Sequence, residues 1–311
     1  MHNWHEWDLH LETSKQKNFF LISSYLKTCN LFPAAKYLIA DNKIVGGIVI
    51  PELHIEMLAD PIISYSKYHS IWFTPEVASG FRQSQKHIEI LFNLGEFLSK
   101  SGVNLNLSLH WSIQDLRGID WAFYGNQNRS IQFTPKYTGI LNLSKFNNFS
   151  EYLNTVSSGR KADYRLSRSL NIAEVFDTSE ISIFMHMYEM TVPFNDANSK
   201  SKALNQVKHI IQNSMAAGTG TLWLAKNNQG KVLSGVFIQK YDDSLYYQFG
   251  ASYKYPLKYS PNAAILMHII ERAVETGISK FDFMGMNSPN RGAFKASLNP
   301  TPQLYFEALI Q

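Results

Sequence analysis

The first half of the chain alternates between apolar runs and short polar turns. Residues 37–50 form two apolar segments around a polar turn at 41–43, which predicts a β-hairpin. Apolar residues then recur at helical spacing over about 84–101, and Gly102 stands where a helix cap belongs. Strict alternation over 103–109 predicts a strand with one buried face. The expected order is therefore hairpin, helix, strand.

The second half repeats this order of elements. Residues 221–239 predict another hairpin, and residues 244–249 a third strand. Ser260 and Pro261 are typical of an N-cap and a first-turn proline, so a helix is expected from there to about Thr276. A strand at 278–283 follows. The repeated pattern predicts an α+β fold of two tandem units, each a mixed, largely antiparallel sheet flanked by helices.

Two strands at 130–134 and 138–143 end the first half, and the pattern over 150–217 is mainly helical. The domain boundary is therefore expected between residues 148 and 149. Candidate helices within this segment cover 149–156, 160–169, 181–191 and 202–217.

Composition narrows the class of protein. The 311 residues include 45% hydrophobic and 17% charged residues, which is typical of a folded globular chain. One cysteine excludes a disulfide framework and a thiolate zinc cage. No apolar stretch approaches the ~18 residues of a membrane span, and residues 1–10 lack the apolar core of a signal peptide. We therefore expect a soluble, cytoplasmic protein. The net charge of +4 permits an anionic ligand without indicating DNA.

Four segments of the second half carry a family resemblance. They are residues 160–168, 233–238, 245–252, and the block Phe281-Asp-Phe-Met-Gly-Met-Asn-Ser-Pro-Asn-Arg-Gly-Ala-Phe-Lys295. Together they resemble the FemAB-like branch of the GNAT acyltransferase superfamily, whose members have two tandem GNAT-like domains. The resemblance implies an N-terminal GNAT-like domain over 1–148 and a C-terminal one over 149–311 that carries the FDFxG…GxFK motif.

The resemblance also implies a chemistry, the transfer of an acyl or aminoacyl group to an amine. The branch includes peptidyltransferases that extend peptidoglycan precursors and acyltransferases encoded with polysaccharide genes. The expected acceptor is accordingly a peptidoglycan stem or an amino sugar of a surface polysaccharide, as a small molecule or a lipid-linked glycan. The donor is a charged tRNA in the aminoacyl branch and acyl-coenzyme A in the acetyl branch, and no tightly bound cofactor is expected.

One loop departs from the ordinary GNAT pattern. GNAT enzymes hold the cofactor pyrophosphate in a glycine-paired loop before the main helix, where backbone N–H groups point at the phosphates. The corresponding residues 250–261 contain no paired glycines and include Tyr255-Pro256. This composition argues against coenzyme A in the second domain.

Three residues are the candidates for catalysis. By resemblance, Phe294 and Lys295 face the donor and acceptor site, where the lysine ammonium would stabilise an oxyanion or hold a phosphate. Asp282 alternates with two phenylalanines and would orient the acceptor amine or take its proton. The competing interpretations are a surface lysine and a structural carboxylate.

Further residues are candidates for binding substrate. Arg291 and Gly292 are expected in the same loop as Lys295, the arginine to grip an anion and the glycine to let the backbone approach a ligand. Tyr246 and Tyr247 point to opposite faces of their strand, and Tyr247 is the candidate for the cleft. Four cations lie within nine residues and would bind phosphates, a sugar phosphate or tRNA, or else form a solvated basic face. They are Arg160, Lys161, Arg165 and Arg168.

Other chemistries find little support in the sequence. Cys29 lies in an amphipathic context that is typical of a small buried residue, not of a nucleophile. The spacing of His2, His5 and His10 matches no metal-ligand pattern, so no metal site is expected. Three functions stay open: a FemAB-like N-acyltransferase of an envelope precursor, an acyl-coenzyme A-dependent N-acetyltransferase of a nucleotide-linked amino sugar, and a degenerate GNAT pair that binds a glycan or a partner.

Overall fold

The computed structural model of the chain describes residues 4–57, 62, 65–77, 83–191, 197–253 and 260–311. These residues belong to two compact units, Met1–Tyr137 with Gln303–Gln311, and Thr138–Pro302. These units are defined by how compactly their residues pack. The expected boundary between residues 148 and 149 separates two domains of similar architecture, and it stays a prediction.

The helices and strands follow in chain order. The helices are Trp4–Glu12 (α1), Ser23–Thr28 (α2), Gln83–Ser99 (α3), Arg117–Phe123 (α4), Phe149–Thr155 (α5), Ser158–Ser167 (α6), Thr178–Thr191 (α7), Ala197–Ala216 (α8), Pro261–Glu275 (α9) and Pro289–Ala296 (α10). The strands are Ala35–Ala40 (β1), Lys43–Val49 (β2), Ile71–Phe73 (β3), Leu105–Ser108 (β4), Ile131–Asn142 (β5), Asn171–Glu174 (β6), Gly220–Lys226 (β7), Val232–Tyr241 (β8), Ser244–Ser252 (β9), Lys280–Asp282 (β10) and Thr301–Ile310 (β11). Within these ranges, none of the helices has the length and hydropathy needed to cross a membrane.

The first unit contains the predicted hairpin, helix and strand. Strands β1 and β2 pair antiparallel, and β3 pairs with β2. Asp41 and Asn42 both adopt positive φ, which the tight turns of hairpins require and which asparagine and aspartate tolerate. Helix α3 packs its apolar residues, among them Leu91 and Leu98, into one core with β4 and β11.

The second unit repeats the arrangement with a larger sheet. Strands β6 to β9 are antiparallel neighbours, and β10 lies parallel to β9 and antiparallel to residues 140–142 of β5. A parallel pair needs a crossover, and α9 supplies it between β9 and β10. The Ser260 side chain accepts the N–H of Ala263 and caps α9, as its Ser-Pro start predicts. The α+β fold with largely antiparallel sheets flanked by helices is therefore confirmed.

Three local expectations need correction. The two strands expected at 130–134 and 138–143 are one continuous strand, β5, because Pro135 does not interrupt it. Strand β6 was not expected within the helical segment. Residues 289–296 were expected as a loop but form α10. Ser288 and Pro289 start it with the same Ser-Pro signal that starts α9.

Gly292 allows α10 to lie against the chain that follows β10. A Cβ atom at this position would overlap the carbonyl oxygen of Met286. We expect Gly292→Ala to lower the free energy of unfolding by about 1–3 kcal/mol, since the overlapping atom belongs to the backbone. Urea unfolding measures this change.

Gly159→Ala is the matched control. Gly159 lies in α6, and an added Cβ would meet only the Ser157 side chain, at an ordinary distance of 3.7 Å. Because alanine is the better helix former, this variant should be as stable as the parent or more so. Equal stability of the two variants would contradict the close packing assigned to Gly292.

Candidate functional site

A cavity of about 300 Å³ lies in the second unit, at the end of β9 that is not paired with β10. Residues 247–252 of β9, the ends of α7 and α9 that point toward it, and α10 form its walls. Four of the residues expected to bind or transform substrate line it: Tyr247, Arg291, Phe294 and Lys295. The structure therefore brings together residues that are up to 48 positions apart, from Tyr247 to Lys295.

Strand β9 continues past the end of its parallel partner and borders the cavity. Strand β10 pairs with β9 only from Ser244 to Tyr246, although β9 continues to Ser252. Beyond Tyr246 no described strand pairs with that edge. The β8–β9 register also shifts at Gln248, which is the extra residue of a β-bulge. Bulges of this kind redirect side chains and end strand pairing next to binding sites.

Tyr247 presents its hydroxyl group in the cavity wall. The hydroxyl donates a 3.1 Å hydrogen bond to Asn262 Oδ1 in the first turn of α9. Gly250 makes room for it, because a Cβ atom there would overlap the hydroxyl oxygen. Burial raises the pKa of Tyr247 to about 12, against smaller lowering effects of Asn262 and Arg291. Tyr247 therefore keeps its proton at neutral pH and can donate it.

Lys295 lies beside Tyr247. Its ammonium is 5.5 Å from the centre of the Tyr247 ring and donates a 2.9 Å hydrogen bond to Gly285 O. It is half-buried, one helical turn after the exposed Arg291. A cation over an aromatic ring is held by the negative face of the ring. The Lys295 ammonium and the Tyr247 phenol therefore lie in the same wall of the cavity.

Arg160 supports this wall from α6. Its guanidinium lies 5.6 Å from the Phe294 ring centre, and Nη2 is 2.9 Å from Asp163 Oδ2. Asp163 Oδ1 accepts a 2.8 Å hydrogen bond from the Ser260 N–H at the start of α9. Asp163 is 1% exposed, and burial raises its pKa. Arg160 and Asp163 thus tie α6 to the two helices that border the cavity.

The basic cluster does not act as one surface. Arg168 pairs with Glu271 on α9 at 2.6 Å and also contacts the Tyr164 hydroxyl. Lys161 is half-buried and Arg165 is exposed, and neither lines the cavity. Of the four cations, only Arg160 contacts a cavity residue among the described contacts. Binding roles for Lys161, Arg165 and Arg168 stay predictions.

Asp282 and Gly292 are not among the residues that line the cavity. Asp282 is buried, and its Oδ1 accepts hydrogen bonds from Thr138 Oγ1 at 2.6 Å and from the Met284 N–H at 2.7 Å. Met284 has a φ of 59°, in the left-handed region that non-glycine residues rarely adopt. Asp282 therefore stabilises the turn that takes the chain from β10 to Gly285. Its catalytic role stays a prediction.

Sequence reasoning missed Asn262, Gly250 and Asp163. Asn262 lies two residues after the Ser260 cap, in the helix turn that faces the strand before it. Gly250 begins the segment 250–261, which lacks paired glycines, and it lies in β9, where it makes room for the Tyr247 side chain. Residues 254–259 of that segment lie outside the described residues, so the expectation of a missing phosphate cradle stays a prediction.

Cys29 lies in the first unit and does not line the cavity of the second. It is fully buried, and burial raises the pKa of its thiol to about 12. The sulfur is therefore a thiol at neutral pH, as expected of a packing residue.

Comparison with known proteins agrees with this geometry. Residues 194–295 match a family model described as an acetyltransferase (GNAT) domain, and this range ends at Lys295. A search of curated proteins found no significant sequence match.

Solved structures share the fold of the chain. FemX is similar over 98% of this chain and 96% of its own, with a TM-score of 0.61 and 12% identity. A conserved protein of unknown function from Bacteroides thetaiotaomicron follows with a TM-score of 0.57 and 12% identity, over 100% and 98% of the two chains. L-PGS from Bacillus licheniformis is similar with a TM-score of 0.52 and 10% identity, over 98% of this chain and 90% of its own. The domain match and the fold of FemX confirm the resemblance to the FemAB-like branch of the GNAT superfamily.

A double-mutant cycle tests the placement of Tyr247. Gly250→Ala should cost about 1–3 kcal/mol of stability, since the new methyl group displaces the Tyr247 hydroxyl. In the Tyr247→Phe variant the hydroxyl oxygen that the new methyl group would overlap is absent. Gly250→Ala should therefore lower the free energy of unfolding by about 1 kcal/mol less in that variant than in the parent. Chemical unfolding of the four proteins measures the coupling. Strictly additive effects would show that Gly250 does not make room for the hydroxyl.

Proposed function

We propose that this protein is an N-acyltransferase that transfers an acyl or aminoacyl group to an amine of a cell-envelope precursor. The observation that carries the proposal is the convergence of Tyr247 and Lys295 on one cavity at the open edge of β9. This cavity is built by residues of the segment that matches the GNAT acetyltransferase domain and by Tyr188 and Thr191 just before it.

The residues of the cavity fit the needs of amide formation. The amine nitrogen attacks the carbonyl carbon, the C–N bond forms, and the bond from that carbon to the sulfur or oxygen of the donor breaks. Negative charge develops first on the carbonyl oxygen and then on the leaving atom. The Lys295 ammonium can stabilise the first charge. The Tyr247 O–H, which keeps its proton at neutral pH, can give that proton to the leaving atom and take up the proton that the attacking amine loses.

Two further groups make the cavity suitable for a phosphorylated donor. Arg291 and Lys295 place two cations at its wall, and α9 begins there at Ser260. Helix N-termini and cations together favour anions. Aminoacyl-tRNA and acyl-coenzyme A both carry phosphates, so both fit this charge.

The identity of the donor separates two candidate functions. The absence of paired glycines in residues 250–261 favours an aminoacyl-tRNA donor, as in the aminoacyl members of the FemAB-like branch. The match to an acetyltransferase domain model favours the second candidate, an acyl-coenzyme A-dependent N-acetyltransferase of a nucleotide-linked amino sugar.

The acceptor follows from the resemblance. A peptidoglycan stem or an amino sugar of a surface polysaccharide, free or lipid-linked, supplies the primary amine that the reaction needs. The fold shared with FemX supports this class of acceptor. A cytoplasmic location would give the enzyme access to such precursors.

Substitution of Lys295 tests its catalytic role. We expect Lys295→Ala to lower kcat by at least about 100-fold, because an oxyanion loses a charged donor. The exposed Lys240 on β8 offers the control, Lys240→Ala, which should keep the parental kcat. Turnover is followed as acyl transfer to a stem peptide or an amino sugar, and thermal unfolding confirms that both variants fold. Parental turnover by Lys295→Ala would remove the role assigned to it.

Calorimetric titration with acetyl-coenzyme A, at low and at moderate salt, identifies the donor. We expect no binding, with transfer occurring instead from a charged tRNA in a radiolabel assay. Micromolar binding would establish the acetyltransferase candidate. Absence of both binding and transfer would leave a degenerate GNAT pair and would contradict the proposed function.

A further inference from the structure

A second cavity, of about 510 Å³, lies within the first unit between the β1–β2 hairpin and α3. Most of its lining is aliphatic or aromatic, including Leu38, Val45, Ile90 and Phe97. Its size is typical of a small-molecule site. The proposed acyl transfer does not use it, since that chemistry is placed in the second unit.

The second unit shows how this face is normally closed. There the sheet face beneath α9 is covered, and Trp223 on β7 and Val236 on β8 are buried. Helix α6 lies alongside α9, where the Tyr164 hydroxyl donates a 2.6 Å hydrogen bond to Glu271. In the first unit Leu38 and Val45 on β1 and β2 are only partly buried against their core.

Apolar side chains are exposed around the opening of this cavity. Ile39 is 67% exposed on β1, and Phe97 is 61% exposed on α3. Both line the cavity. Exposed apolar side chains that continue into a concave apolar surface mark a binding site for a hydrophobic ligand.

The charged groups of the lining are confined to one side. Lys36 on β1 and His54, in the 3₁₀ segment Pro51–Met57, line the cavity, and none of the described lining residues is acidic. Among the described residues Lys36 forms no ion pair. Burial, with a contribution from Lys36, lowers the pKa of His54, so this histidine is a neutral hydrogen-bonding group and Lys36 is the cation.

The neighbouring cavity has a different character. It shares Ala40, Val45, Ile90 and Asn93 with the 510 Å³ cavity. Its other lining residues include three acidic residues, Asp41, Glu76 and Glu89, and three basic ones, His10, Lys43 and Lys86. An anionic group would meet both acidic and basic side chains at that end, and it would meet Lys36 with no acidic residue in the described lining of the 510 Å³ cavity.

We propose that this cavity binds an amphiphile with one long alkyl chain and an anionic head group. The chain lies along the apolar wall between the hairpin and α3, and the head group contacts Lys36 and His54. The proposal concerns binding alone, so it stands or falls independently of acyl transfer.

Calorimetric titration of the full chain with dodecyl phosphate, below its critical micelle concentration, tests this site. We expect saturable micromolar binding. Octyl phosphate should bind at least about tenfold more weakly, because each buried methylene contributes a roughly fourfold factor. Inorganic phosphate should not bind. Laurate also has twelve carbon atoms but carries a carboxylate, so comparing its affinity with that of dodecyl phosphate shows which anionic head group is preferred.

Variants separate the chain from the head group. Lys36→Glu should weaken dodecyl phosphate binding roughly tenfold through charge reversal, while Lys27→Glu on α2, an exposed lysine outside the cavity, should leave it within about twofold. Ala40→Phe fills the cavity and should abolish binding. Asn93 is an exposed residue of the lining, so Asn93→Trp offers a second way to fill the cavity if Ala40→Phe does not fold.

Three results would overturn the proposal. They are the absence of dodecyl phosphate binding by the parent chain, unchanged binding by a folded blocking variant, and equally tight binding of dodecyl maltoside, which has the same chain and an uncharged head.

Discussion

The candidate active site depends on the point at which two parallel strands stop pairing. Strand β10 accompanies β9 for three residues and then turns away, while β9 continues to Ser252. The turn at Met284 adopts a left-handed conformation, and the buried Asp282 carboxylate holds it through the Met284 N–H. This divergence leaves room for the cavity, which residues 247–252 of β9 border.

Helix contacts then place the side chains along the cavity wall. Gly292 lets α10 approach the chain after β10, which brings Lys295 within reach of Gly285 O and of the Tyr247 ring. Asp163 accepts a hydrogen bond from the Ser260 N–H at the start of α9 and forms an ion pair with Arg160. The Arg160 guanidinium lies over the Phe294 ring of α10. A buried carboxylate without these partners would be strongly disfavoured, so the contacts make the arrangement of α6, α9 and α10 specific.

The two units use one architecture to different ends. Both contain a hairpin, a third strand, a helix and a returning strand. In the second unit α5 and α6 add to the core beneath the sheet, and the candidate site lies at the edge of β9. In the first unit the corresponding face holds an apolar cavity with a cation at one side. Repeating a fold therefore leaves one copy available for a task other than the reaction, because each copy needs only its core to be stable.

Local patterns in the sequence determined the elements and the fold class. Period-two and helical spacing located the β1–β2 hairpin, α3, β4 and α9, since each of these is set by which residues must be buried. The motif resemblance indicated Phe294 and Lys295, strand alternation indicated Tyr247, and the expected loop of Lys295 indicated Arg291. These signals did not show that Asp282 serves a backbone turn, that Arg168 pairs with Glu271, or that Gly250 makes room for a phenol. Those facts arise from contacts between residues distant in sequence, and only the packing of strands and helices decides which of them meet.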